Sequence, residues 1–186
     1  MSGIRIELRS ARQLIGGLAL GLALVFGVAP ATAADAHSSS EDRARFVSIT
    51  QKLAEAPLQS GAREDLAWAL QWLIEAPDVS VHVCANFFGG VYKNYPYAGE
   101  IVLAYTFSMA ALVIEEPETT TDPKAQQVAG LMGALKTYRS ILRDKPEARS
   151  AALDSLLEVQ ARSELPVFIR KAWAGCSAKT APVEGR

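Results

Sequence analysis

AGEIVLAYTFSMAALVIE (Ala98–Glu115) has no charged residue between Ile101 and Ile114. Such a run is either a membrane span or a helix buried on most sides. A span needs about 20 predominantly apolar residues. This run is short for that, and Tyr105, Thr106 and Ser108 interrupt it. It therefore reads as the central helix of a globular domain. A helix that is apolar all round must be covered by other elements, so the rest of the chain has to supply its neighbours.

The flanking sequence offers helices punctuated by proline. Ser40, followed by Glu41 and Asp42, reads as an N-cap with acids in the first turn. Phe46, Ile49, Leu53 and Ala56 then recur at helical spacing until Pro57. A second helix is expected over Ala62–Glu75, with Leu66, Leu70 and Leu73 as its stripe and Trp68 and Trp72 on the flank. Its polar face is narrow (Glu64, Gln71, Glu75), which predicts a well-buried helix. Beyond the central helix, Asp122-Pro123 is an N-cap followed by proline at the first helical position. Val128, Leu131, Met132, Leu135, Tyr138 and Leu142 form the apolar stripe there. Gly130 and Gly133 lie on a different face, with Thr137 above them. A helix-interior glycine costs about 1 kcal/mol relative to alanine. Two on one face imply close approach of a ligand or, more simply, of another helix. Pro146 reads as opening a helix to Ala161, with Ala152, Leu153, Leu156 and Leu157 inward. Ser163 reads as capping a last helix, in which Leu165, Phe168, Ile169, Ala172 and Cys176 share a face and Trp173 flanks them. The expected fold is all-α: a single-domain antiparallel bundle of about six helices over residues 41–176.

Residues 79–97 depart from this pattern. Val79, Val81 and Val83 alternate with Ser80 and His82, a strand-like period of two. One short strand without a partner makes no sheet, so an extended connection is expected, continuing as a loop through Gly89-Gly90 to Pro96.

The N-terminus has the order of a secretory signal peptide. Arg5, Arg9 and Arg12 precede the apolar Leu14–Pro30, and Ala31-Thr32-Ala33 is a small-x-small cleavage pattern. Residues 1–33 are read as that signal and 34–40 as a linker, with 177–186 as a disordered tail. An uncleaved anchor is the weaker alternative, because the apolar core is short and rich in glycine. Cleavage leaves 16 basic and 19 acidic residues of the original 19 and 20, a net charge of −3. That balance offers no electrostatic footprint for nucleic acid or an anionic membrane. No stable membrane span is expected after cleavage. The two cysteines, Cys84 and Cys176, would most simply form one disulfide in an oxidising compartment. Two separate buried thiols are the alternative.

Catalytic and metal signatures are sparse. The chain has no G-x-S-x-G, H-E-x-x-H, phosphate loop or Cys-x-x-Cys-His. On an extended segment His82 and Cys84 would share a face, but with Cys176 they make three metal ligands at most, and a disulfide consumes two. No metal and no cofactor is predicted. Glu75 and Asp78, and Glu115, Glu116 and Glu118, cluster at proline-stopped helix ends. They either face water or a nearby arginine, or serve a cation or acid/base chemistry.

Binding has the better candidate. Phe87, Phe88, Tyr92, Tyr95 and Tyr97, interleaved with Asn86, Lys93 and Asn94, combine stacking surfaces with polar handles. Tyr92, Lys93, Asn94, Tyr95 and Tyr97 are the candidate ligand-binding residues. In the structural alternative the phenylalanines cap the core and the tyrosines cover the end of the central helix.

AWALQWLIEAPDVSVHVC (Ala67–Cys84), taken with VAGLMGALKTYRSIL (Val128–Leu142), is similar to a group of exported bacterial helical proteins of unknown function. The resemblance implies export and a helical fold and brings no catalytic residues. ALKTYRSILRDKPEA (Ala134–Ala148) resembles the second helix of a tetratricopeptide repeat through Ala134, Tyr138, Ile141 and Pro146. The repeat period is not kept elsewhere, so this hints only at antiparallel helix pairs. The functional expectation is an exported, non-enzymatic module, periplasmic or extracellular, that binds a protein, peptide or glycan of the cell envelope through Val91–Glu100. The alternative is a small envelope hydrolase with Glu100, Glu115 or Glu116 as its acid.

Overall fold

The computed structural model describes residues 38–177, and among them every regular element is helical. The expected signal peptide, most of the linker and the tail beyond Ser177 lie outside the described residues. In chain order the helices are α1 (Ser40–Glu55), α2 (Ala62–Glu75), α3 (Val91–Asn94), α4 (Ala98–Glu115), α5 (Pro123–Asp144), α6 (Ala151–Ala161), α7 (Leu165–Ala172) and α8 (Ala174–Ser177). Two of these, α3 and α8, are single turns. Short 3-10 helices cover Ala85–Phe88 and Pro117–Thr121.

The central helix has the predicted bounds and separates two cores. Ile101, Tyr105 and Met109 face one, with Leu131, Leu135 and Tyr138 of α5 and Leu153 and Ile169 beyond. Phe107, Ala110 and Val113 face the other, with Phe46, Ile49 and Leu53 of α1 and Ala62 and Ala69 of α2. Each large apolar side chain so buried contributes about 1.5–3 kcal/mol. This two-sided cover explains why α4 is apolar nearly all round.

The paired glycines mark where α4 and α5 meet. A Cβ at Gly130 would lie 2.6 Å from a Tyr105 ring carbon and 2.9 Å from Met109 Cγ. One at Gly133 would run into Ser108 and reach 3.1 Å from the Ala104 carbonyl oxygen. The partner residues step back from 105 and 109 to 104 and 108 as α5 advances from 130 to 133, the sense of an antiparallel pair.

Several local expectations are corrected. The cap of α1 is Ser39, whose hydroxyl accepts from the Asp42 N–H, and Ser40 is already helical. Pro146 lies in a turn; α6 begins at Ala151, capped by Ser150, and Ala152 is exposed. Ser163 is no cap. It takes the left-handed region (φ 59°) in the turn after α6, while Glu164 precedes α7. Asp122 caps α5 as expected, accepting from Lys124 and Ala125. Within α2 only Ala62 and Ala69 are buried, and Ile74 is 71% exposed. Its tryptophans are shielded differently: Trp68 and Trp72 stack at 6.2 Å, and the Arg45 guanidinium of α1 lies 3.8 Å over Trp68. Met132 points outward from α5, because the buried face is centred on Leu131, Ala134, Tyr138 and Ile141.

Candidate functional site

The segment preceding the expected loop is held in an unusual way. An extended chain needs partners for its amides and carbonyls, and no strand lies beside residues 79–84 among the described residues. Two adjacent, fully buried glutamines of α5 take that role. The Gln126 side-chain oxygen accepts from the His82 N–H at 3.2 Å, and its nitrogen donates to the Thr119 carbonyl at 3.0 Å. The Gln127 amide donates to the His82 carbonyl, and its oxygen accepts from the Tyr105 hydroxyl. That hydroxyl in turn accepts from the Cys84 N–H at 3.2 Å. Cys84 is bonded to Cys176 across a Cα–Cα distance of 5.6 Å, tying the segment to α8. The expectation that His82 and Cys84 share a face fails, because Cys84 is buried and His82 exposed. Val83 is exposed as well, so of the three valines only Val79 is fully in the core.

The loop itself contains helical turns. Phe87 and Phe88 are buried, against Phe168 (6.0 Å) and edge-on to Tyr105 (5.1 Å). They cap the core, the structural alternative raised for them. Tyr95 is also core: 8% exposed, it packs edge-on to Tyr97 and Tyr138. Burial pushes its phenol well above the ordinary value, and the neighbouring Tyr138, Tyr97, Glu100 and Asp154 push the same way. Tyr97 is half-buried, and Lys93 and Asn94 are exposed. The Tyr92 side chain lies outside the described residues. Tyr95 therefore offers no free face for stacking.

A concave space opens at the C-terminal edge of this loop. The turn between α1 and α2 and the start of α4 enclose a cleft of about 450 Å³. Pro57, Leu58, Ala62, Leu66 and Leu103 wall it with apolar surface. Arg63 and Glu100 also line it, and neither has a hydrogen bond or ion pair among the described residues. Inward, past Pro57, Leu66, Glu100 and Leu103, a small cavity of about 20 Å³ reaches Thr50 of α1 and Thr137 of α5. Both threonines are buried, at 5% and 1% exposure, and neither hydroxyl oxygen has a hydrogen-bond partner among the described residues. A helical threonine commonly bonds a carbonyl of its preceding turn. Thr106 does so, at 3.0 Å from the Val102 carbonyl. Leaving such a group unpaired costs about 1–3 kcal/mol, so two lining one cavity stand out. A cavity this size has room for about one water-sized group.

Sequence reasoning singled out Glu100 as an acid and Thr137 only as a neighbour of the glycines; it missed Thr50 and Arg63. The available signal was a polar residue set in an apolar stripe: Thr50 between Phe46 and Leu53, Thr137 between Ala134 and Ile141. The helix-end acids are not gathered into one cluster among the described residues. Asp78 pairs with Arg43 of α1, and Glu115, Glu116 and Glu118 are exposed. Among the described residues no group of three or more His, Cys, Asp or Glu side chains gathers to hold a metal ion. No family model, no curated protein and no solved structure matches the chain.

Proposed function

We propose that this is an exported, non-enzymatic helical module of the cell envelope that holds a small ligand, or one side chain of a protein partner, in the cleft beside Glu100. The supporting observation is that the cleft shares Pro57, Leu66, Glu100 and Leu103 with a small cavity lined by Thr50 and Thr137, whose buried hydroxyls have no partner among the described residues, a feature costly to keep unless something fills it. The signal-like order of residues 1–33 supports export, and the disulfide is compatible with it. Among the described residues the cleft lining contains a single carboxylate and neither histidine nor cysteine. Glycosidase chemistry uses two carboxylates, so binding is the better reading than hydrolysis. Lys93, Asn94 and Tyr97 would then be contacts on the approach to the cleft for a larger partner.

The test is an amide-shift titration of the 35–186 chain with hexanol, hexanoate and hexylamine separately. Perturbations centred on Leu66, Gly99, Glu100 and Leu103 support the reading. Perturbations confined to Lys93, Asn94 and Tyr97 would return the site to the tyrosine loop. Export is checked by fusing residues 1–40 to alkaline phosphatase, which is active only outside the reducing cytoplasm; an inactive fusion contradicts it.

A further inference from the structure

We propose that the group recognised at the deep end of the cleft is a primary ammonium carried on an unbranched aliphatic stem. The inference rests on reading the cleft as a binding site and adds the chemistry of its ligand. The small cavity admits about one non-hydrogen group of the ligand. Its lining includes Glu100 and the two threonines, Thr50 and Thr137, whose buried hydroxyl oxygens have no partner among the described residues. An ammonium has three N–H donors and no acceptor, and two hydroxyls with one carboxylate can supply an acceptor for each. Glu100 supplies the opposite charge and makes no ion pair among the described residues that would compete. Charge-assisted hydrogen bonds of this kind are stronger than neutral ones.

The outer cleft completes the match. Its walls of leucine, proline and alanine suit a run of methylenes. Arg63 lines the cleft but not the inner cavity. It therefore disfavours a second cation at the outer end and favours a carboxylate or a neutral group there. That arrangement selects an ω-aminocarboxylate, or a lysine side chain presented by a peptide, over an aliphatic diamine. The positive end of the α4 dipole opposes any cation near Glu100, so the carboxylate is indispensable to this recognition.

Calorimetry and amide shifts on the oxidised 35–186 chain test the proposal with 6-aminohexanoate, hexanoate, hexanol and an acetylated tetrapeptide bearing one lysine. The amine is expected to bind on the order of tenfold more tightly than hexanoate or hexanol, with shifts at Thr50, Glu100 and Thr137. Glu100→Gln, which keeps the side-chain shape, should remove that preference and leave the fold unchanged by circular dichroism. Thr137→Val is the second variant and should weaken the amine without improving its neutral analogue. A tetrapeptide tighter than 6-aminohexanoate assigns the ammonium to a protein partner; the reverse order assigns it to a free small molecule. Hexanol or hexanoate binding as tightly as the amine overturns the ammonium assignment while the cleft remains a binding site. Absence of any cleft perturbation by all four probes overturns both.

Discussion

Replacing Gly130 with alanine places a methyl group where α4 and α5 touch. The new carbon would sit 2.6 and 2.7 Å from two Tyr105 ring carbons and 2.9 Å from Met109 Cγ. Comfortable carbon contacts lie at about 3.5–4.0 Å, so something must move by nearly 1 Å. Tyr105 has little room to do so. It is fully buried, its ring meets Phe88 edge-on, and its hydroxyl is bonded to Gln127 and the Cys84 backbone. Alanine gains about 1 kcal/mol of helix propensity. Overpacking costs about 1–3 kcal/mol, and a displaced hydroxyl network about 1–3 kcal/mol more. The net expectation is destabilisation of about 2–3 kcal/mol. With a urea dependence of about 2 kcal/mol/M, the unfolding midpoint should fall by about 1 M or more. Tryptophan fluorescence of the oxidised 35–186 chain in urea reads this directly. Gly99→Ala, where a Cβ meets open space, is the control and should be neutral or mildly stabilising. Gly130→Ala as stable as the wild type would refute the tight helix–helix contact.

Thr137→Val keeps the shape of the side chain and removes an unpaired hydroxyl, so it should raise stability by about 1 kcal/mol in the ligand-free protein; a clear loss in thermal unfolding would show that the hydroxyl has a partner. Removing the disulfide with Cys84→Ser and Cys176→Ser frees a loop of 92 residues and should cost up to about 4–5 kcal/mol in the chain-entropy model, read by urea unfolding against the oxidised protein; equal midpoints would contradict the constraint. Burial holds the Tyr95 and Tyr138 phenols above their ordinary value near 10. The folded state therefore keeps protons that the unfolded state releases, so their contribution is full below pH ~10 and is lost as pH rises above it. Absorbance at 295 nm should show tyrosine ionisation in two stages, the later one accompanying unfolding; a single step near pH 10 in the folded protein would oppose this.

The architecture was legible because it rests on apolar periodicity and proline punctuation. Ala98–Glu115 could be placed closely, since Pro96 and Pro117 bracket its charge-free run. Asp122-Pro123 and the cysteine pairing were equally readable, each being a local signal with one simple meaning. Cap positions slipped where several small polar residues adjoin, as at Ser38, Ser39 and Ser40. The burial of α2 was overestimated because periodicity identifies an apolar face but not whether Arg45 or a core will cover it. The glutamine clamp on residues 82–84 and the Thr50–Thr137 cavity were hidden for a common reason. Their polar groups lie 44 to 45 and 87 positions apart, and only the tertiary fold shows which are paired and which are not.

A crystal structure of the oxidised 35–186 chain grown with 6-aminohexanoate tests the central claim most directly. The account predicts the ligand nitrogen in the inner cavity, within about 3 Å of Thr50 Oγ1, Thr137 Oγ1 and a Glu100 oxygen, with the methylenes along Leu66 and Leu103 and the carboxylate toward Arg63. A ligand lying in the reverse direction, seated on the tyrosine loop, or absent from the cleft at saturating concentration would contradict it.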